Sequence, residues 1–377
     1  MLCLASAATT QAKSDIDSTS IQTEVTARTA LQESAQSQDI FDVFAPKTET
    51  LSTRFDYTVW DQALSESVVQ MGPSNRIFAP RARVPLGTRL VRHYHNSPFR
   101  LEGSRFTFFY TSDSYVEALG EYKDDLLRLA HEHDIQSFSR NEQLAYWINL
   151  HNVVLIETIA KNHPTRKPSA LVFGPEELPL HEAKHVTIKD IPLSLRNIRE
   201  NIVYKNWKSP NVIYGFFRGD IGGPGILPYA VTGENVKHVL ATQGFEYTTS
   251  LRGFHTTKKA RKISQIYNEA RPYFFSNWPQ DLESHFKGYF KDHFLLDQVD
   301  QDKPISFIKY ETIIADLWGG NNSYGTALVK NRDLFVGRPP ILYERELKFR
   351  ELKAKGLLKR NFSVTIEDLP TEDNSVP

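Results

Sequence analysis

The sequence predicts an α/β or α+β fold in which a small mixed sheet packs on one central, buried helix. Three stretches carry that expectation. Residues 139–164, SRNEQLAYWINLHNVVLIETIAKNHP, read as a helix that is apolar nearly all round, with Leu144, Ile148, Leu155 and Ile159 on one face. Helices of that kind sit in the middle of a domain. Residues 212–217, VIYGFF, read as a buried strand, and the four glycines and two prolines of residues 218–228, RGDIGGPGILP, mark a tight loop leaving it. A papain-like or transglutaminase-like topology fits this inventory by analogy only.

Taken in order, the chain opens on MLCLASAATTQAKSD, a short apolar run ending in small residues, with Ala7 and Ala12 as cleavage edges. It resembles the tail of a secretory signal, so a secreted or periplasmic location is expected. The rest of residues 1–40 is rich in Ser, Thr and Gln and reads as a disordered linker. One globular domain is expected over 41–336. It begins with helices over 55–70 (Trp60, Leu64, Val68) and 115–133 (Leu119, Leu126, Leu129), separated by an irregular excursion over 73–96. Ser139 and Glu142 have capping-box spacing at the start of the central helix, and His163-Pro164 ends it.

Beyond that helix, residues 167–185 are irregular and 186–188 form a short strand. Ser194 caps a helix over 195–203 with Leu195, Ile198 and Ile202 on its apolar side. Residues 235–241 should be helical, and 256–263 read as a hairpin arm. Residues 337–377 are set apart as a charged helix and a disordered acidic tail. The helix, over 343–360, carries Glu344–Lys348, Glu346–Arg350 and Glu351–Lys355 pairs and is packed by Leu347 and Leu352.

Composition narrows the function. With 45 Lys and Arg against 45 Asp and Glu, no field of one sign favours nucleic acid or an anionic membrane. No run of 18 apolar residues spans a bilayer. The 377-residue chain has one cysteine, Cys3, which leaves the body of the protein without a thiolate nucleophile, a Cys-based metal site or an internal disulfide. No cofactor is expected. The ligand or partner, a small molecule or a protein, stays unassigned.

Candidate site residues cluster on the helix and the loop. Asn152 projects from the middle of an apolar face, with Asn149 one turn back and His151 near the edge. An amide left unpaired there costs roughly 1–3 kcal/mol. Two readings stand: the pair ties down a neighbouring backbone, or it lines a site. In the loop, Arg218 is a fixed cation with Asp220 within reach, either as part of a site or as a salt bridge that shapes the loop. Trp147, Gly222, Gly223 and Pro224 are the candidate binding positions. The string His181-Glu182-Ala183-Lys184-His185 matches the zinc-protease pattern. The prolines before it and the strand after it deny it the helix that pattern requires, so an exposed turn is expected and no metal is assigned.

Trp147-Ile148-Asn149-Leu150-His151-Asn152, an apolar run and a Pro, resembles the signature of the domain of unknown function 547 family. Later landmarks such as Ile263-Ser264-Gln265-Ile266-Tyr267 and Ile308-Lys309-Tyr310 extend the resemblance over roughly residues 55–318. Related sequences place a His on the 212–217 segment, cysteines in the loop and an acid after Ile198. Here Ile213 replaces the His, Arg218 and Gly223 replace the cysteines, and Arg199 stands in the acid's place. Cys and His together imply a thiol hydrolase, in which the imidazole raises the thiolate fraction. This chain lacks both. The expectation is therefore a binding or scaffolding module on a catalytically degenerate thiol-hydrolase-like scaffold, leaning away from an enzyme. The alternative is a non-thiol hydrolase using Asn149, His151, Asn152, Arg218 and Asp220.

Overall fold

The computed structural model of the chain describes residues 40–49, 54–80, 95–320 and 339–357. The signal-like start with Cys3, nearly all of the 1–40 linker and the acidic tail beyond 357 lie outside the described residues. The chain divides into two units at Ala45–Pro46. The described part of the first is a single 3-10 turn, Ile40–Phe44. The second holds the remaining elements.

In the second unit, α1 (Thr58–Ser67) passes directly into β1 (Val68–Gln70), which pairs antiparallel with β2 (Ser104–Phe106). The helix expected through residue 70 thus stops three residues short, where consecutive β-branched valines favour the extended chain. Helix α2 (Asp113–Glu132) is capped by the Ser112 hydroxyl, which accepts from the Tyr115 amide. It packs along α3 (Arg140–Lys161), in which every residue from 142 to 160 is buried. The Ser139 hydroxyl accepts from Glu142 N at 3.2 Å. The other half of the capping box is diverted: the Glu142 carboxylate accepts from Phe55 N (3.0 Å) and Gly233 N (3.1 Å) instead. One side chain at the helix start therefore anchors two other segments.

After α3 come two small antiparallel pairs, β3 (Val172–Phe173) with β4 (Leu178–Pro179) and β5 (Lys184–Ile188) with β6 (Ile191–Ser194). The Ser194 hydroxyl caps the next element by accepting from Asn197 N. That element, α4 (Asn197–Tyr204), is π-helical. Such turns are rare and often occur at functional sites. Residues Pro210–Gly215 form a 3-10 turn, then α5 (Val236–Thr249), β7 (Phe254–Thr256), β8 (Arg261–Ile263), α6 (Ile266–Phe274), α7 (Gln280–Tyr289), α8 (His293–Val299), β9 (Ile305–Phe307) and α9 (Pro340–Ala354) complete the unit. Strand β8 pairs antiparallel with β7 and parallel with β9, so the mixed sheet grows from the expected hairpin arm. The fold is a mixed one of helices and small sheets.

Two expectations are corrected. Residues 212–217 are buried but do not form a strand. Pro210 presets the first turn, Ser209 caps it, and the chain becomes extended only at Phe216. The turn lies so close to α3 and α5 that a Cβ on Gly215 would stand 2.7 Å from Ile148 Cδ1 and 3.0 Å from Leu240 Cδ2. The apolar run signalled burial, which a short segment achieves in either conformation. In α9, Leu347 is exposed, and Ile341, Lys348 and Leu352 are the buried residues. The Lys348 ammonium donates to Leu101 O at 2.5 Å, while Glu344 pairs with Arg100 at 2.7 Å. Neither residue makes the expected contact along its own helix. The Glu351–Lys355 pair does form.

Candidate functional site

A cleft of about 200 Å³ opens where α4, α6 and the loop after the 3-10 turn converge. The π-helical segment supplies Arg199, and Arg196 lies just before it. The loop supplies Arg218 and Asp220, α6 supplies Glu269, and the segment after β9 supplies Tyr310. His181, from the turn before β5, lies on the wall.

One carboxylate serves two guanidinium groups. Arg218 forks onto Glu269, Nη1 to Oε2 at 3.2 Å and Nη2 to Oε1 at 2.5 Å. Arg199 Nε reaches the same Oε1 at 3.4 Å. Burial alone would raise the Glu269 carboxyl, but Arg218 and Arg199 outweigh it and hold it down to about 2. Burial likewise works against the Arg218 charge, and Glu269 more than offsets it. Arg199 moves the other way, lowered by burial and by Arg218 beside it. The pair of arginines thus carries one more positive charge than its counter-ion. Arg218 Nε is buried without a partner among the described residues.

The signature helix holds Arg199 in place. Arg199 Nη1 lies 3.1 Å from His151 Nε2. A guanidinium only donates, so that ring nitrogen accepts and the proton sits on Nδ1. Nδ1–H then donates to Asn152 Oδ1 at 3.1 Å. The same Oδ1 accepts from Phe217 N (3.1 Å), and Asn152 Nδ2 donates to Gly215 O (3.0 Å). His151 is kept neutral, first by burial and then by Arg199. A continuous chain of hydrogen bonds therefore runs from the backbone after the 3-10 turn, through Asn152 and His151, to Arg199 and Glu269.

Asp220 does not pair with Arg218 as expected. Its Oδ1 accepts from the Tyr310 hydroxyl (2.8 Å) and from Gly223 N (3.2 Å). Burial raises its carboxyl from 3.8 to about 7, against the pull of Tyr310, Arg218 and the Gly223 amide. It lines the cleft as a carboxyl that changes charge near neutrality.

The structure sorts the remaining candidates. Asn149 clamps Val231, donating to its carbonyl at 2.6 Å and accepting from its amide at 3.2 Å. Trp147 is fully buried against Tyr146. Gly222, Gly223 and Pro224 are buried too. Gly222 donates to Glu311 O and accepts from the Tyr247 hydroxyl, and Gly223 O accepts from Arg252 Nε. Of the candidates, the cleft brings together Arg218 and Asp220, with His151 acting through Arg199.

The exposed turn expected for His181 and His185 is corrected. His181 is half-buried on the cleft wall, 3.4 Å from Arg199 Nη1, and burial lowers its pKa. His185 belongs to β5, with Nε2 bonded to Leu180 O at 2.7 Å. Among the described residues no group of three or more His, Cys, Asp and Glu is placed to hold a metal.

Sequence reasoning missed Glu269, His181 as a wall residue, and Tyr310 as more than a landmark. The available signal was Arg199: an arginine in an acid's place on a buried helix face requires a counter-ion. Gly223 carries a second signal. A Cβ there would lie 2.5 Å from Arg218 Cγ, so the Arg218 stem fills the space a side chain at 223 would use.

Residues 135–248 match the family described as Protein of unknown function, DUF547, a shorter span than the 55–318 over which the sequence resembles it. No curated protein and no solved structure matches the chain.

This geometry sets three expected outcomes. Asn152→Leu leaves Gly215 O, Phe217 N and His151 Nδ1 without their partner. It should lower unfolding stability in urea by on the order of 1–3 kcal/mol per stranded group, and an unchanged denaturation midpoint contradicts the clamp. Gly223→Ala should cost about 1–3 kcal/mol through overpacking, with a smaller loss in an Arg218→Ala background, as a double-mutant cycle reads. Asp220 keeps its proton in the folded state between about pH 4 and 7, where the unfolded chain has lost it, so its contribution to stability falls as pH rises through that window. Asp220→Asn removes the slope. Urea titrations at pH 4.5 and 7.5 should show the variant gaining on the wild type by up to about 1.4 kcal/mol per pH unit, and a pH-independent difference rejects the raised carboxyl.

Proposed function

We propose, from the premise that residues 135–248 carry a DUF547-family domain, that this chain acts as an anion-binding module rather than a thiol hydrolase. The observation that carries the reading is the single carboxylate of Glu269 shared by the buried Arg199 and Arg218 at a cleft. The family resemblance puts an acid and a cysteine at those two positions. Their replacement by arginines exchanges a nucleophilic centre for a cationic seat. The signal-like start suggests that the module works outside the cytoplasm. No helix among the described residues is long and apolar enough to cross a membrane.

The non-thiol hydrolase reading is favoured by one observation, the Asp220 carboxyl near 7 beside the Tyr310 hydroxyl on the cleft wall. A group of that kind suits general acid–base work near neutral pH. The other groups of that reading are occupied elsewhere. Asn149 and Asn152 are committed to backbone, and His151 has both ring nitrogens engaged. Binding is the better supported reading.

The test is thermal stability at fixed ionic strength, with sodium acetate replacing sodium chloride. A bound anion stabilises the folded state by about 1.4 kcal/mol at ten times its Kd, so acetate should raise the Tm of the wild type. Arg199→Met keeps the Arg218–Glu269 fork intact but strands His151 Nε2, so it should fold with a Tm lowered by the loss of about 1–3 kcal/mol, and it should lose the acetate effect. Glu269→Gln removes the shared counter-ion and should cost about 3–5 kcal/mol, part of it restored by acetate. An acetate shift that persists in Arg199→Met sinks the anion site.

A further inference from the structure

The anion cleft continues, past Tyr310, into a larger open groove of about 640 Å³. Tyr310 lines both spaces, and the neighbours Ser169 and Ala170 line one each. The groove carries Arg166, Lys167 and Lys309, all exposed and without an ion-pair partner among the described residues. Its one carboxylate, Glu311, is turned back to accept from Ile313 N. On a chain whose formal charge is zero, this is a local concentration of cations.

The two volumes divide the work. Pockets that enclose a drug-sized ligand hold roughly 300–1,000 Å³, so the inner cleft takes only one small group and the groove is large enough for the rest of a longer ligand. The chemistry of the inner group is visible in the fold. Arg218 already holds the Glu269 side chain through two parallel N–H bonds, the fork that matches a planar carboxylate. Glu269 fills that fork, so an entering carboxylate is left the Arg218 Nε, which has no partner among the described residues, and the Arg199 guanidinium beside it.

We infer that the ligand of the anion cleft is an acidic peptide segment, with one carboxylate entering beside Arg199 and Arg218 and the adjoining acidic residues lying along Arg166, Lys167 and Lys309. This rests on the anion-binding reading and gives it a ligand class. Leu171 and Ile313 in the groove offer apolar contact to the stems of peptide side chains.

The test uses the full chain and a fluorescein-labelled hexaglutamate, with hexaglutamine, sulfated dextran and polygalacturonate as comparison ligands in fluorescence anisotropy at low salt. Hexaglutamate should bind at least tenfold more tightly than acetate, and hexaglutamine should not bind. The triple variant Arg166→Glu/Lys167→Glu/Lys309→Glu changes only exposed side chains. It should weaken hexaglutamate binding about tenfold, the product of three exposed pairs each worth roughly a factor of two, while its acetate-induced Tm shift stays that of the wild type. If acetate stabilises both proteins but hexaglutamate binds no better than acetate, or the triple variant binds it unchanged, the groove inference fails while the anion site stands. Tighter binding of sulfated dextran or polygalacturonate than of hexaglutamate overturns the peptide class. Loss of the acetate effect in the wild type removes the underlying reading itself.

Discussion

A neutral imidazole held between an amide and a guanidinium joins the core of this protein to its cleft. His151 stands on a helix buried at every position from 142 to 160, and charging it there would carry a large desolvation cost. The Asn152 carbonyl fixes its proton on Nδ1, and Arg199 uses the lone pair left on Nε2. Because the same amide also grips Gly215 and Phe217, one side chain sets both the path of the loop that carries Arg218 and the tautomer that orients Arg199. Both arginines therefore depend on the signature segment, although neither belongs to it.

The arrangement is tolerable only because Glu269 is present. Two buried guanidinium groups with no carboxylate would face both desolvation and mutual repulsion. With Glu269 forked onto Arg218, that guanidinium is compensated, while Arg199 is left with a longer contact and a lowered pKa. A charge on a cleft wall that is not fully compensated attracts a counter-ion in a way that a fully matched pair does not. The raised carboxyl of Asp220 acts in the same sense, since it withholds a second negative charge from the cleft below about pH 7.

How much of this was legible in the sequence depends on whether the signal is local. The central helix, its Ser139 cap and its end before Pro164 rest on periodicity and capping over adjacent residues, and they stand where expected. The 256–263 arm is found as a hairpin for the same reason. The 212–217 segment misleads because an apolar run reports burial and says nothing of φ and ψ, while Pro210 and the contact of Gly215 with Ile148 are what select the 3-10 turn. In the site, Arg218 and Asp220 were visible as charges in a glycine-rich loop. Their partners were not, because Glu269 lies 51 residues from Arg218 and Tyr310 lies 90 from Asp220. No pattern within one segment reports such a pairing.

The differences from the family pattern also fit together as one exchange. With an arginine at 218, its stem passes through the space where a Cβ on residue 223 would stand, so a side chain at 223 and a long one at 218 exclude each other. With an arginine at 199, an acid is needed nearby, and α6 provides it as Glu269. With Ile213 where the resemblance puts a histidine, the second half of the 3-10 turn, residues 212–215, is buried behind the loop. On that resemblance each change removes a reactive group, and at 218 and 199 a steric or an electrostatic partner accommodates the new residue. The packed glycine and the shared carboxylate are what allow two arginines to stand together in this cleft.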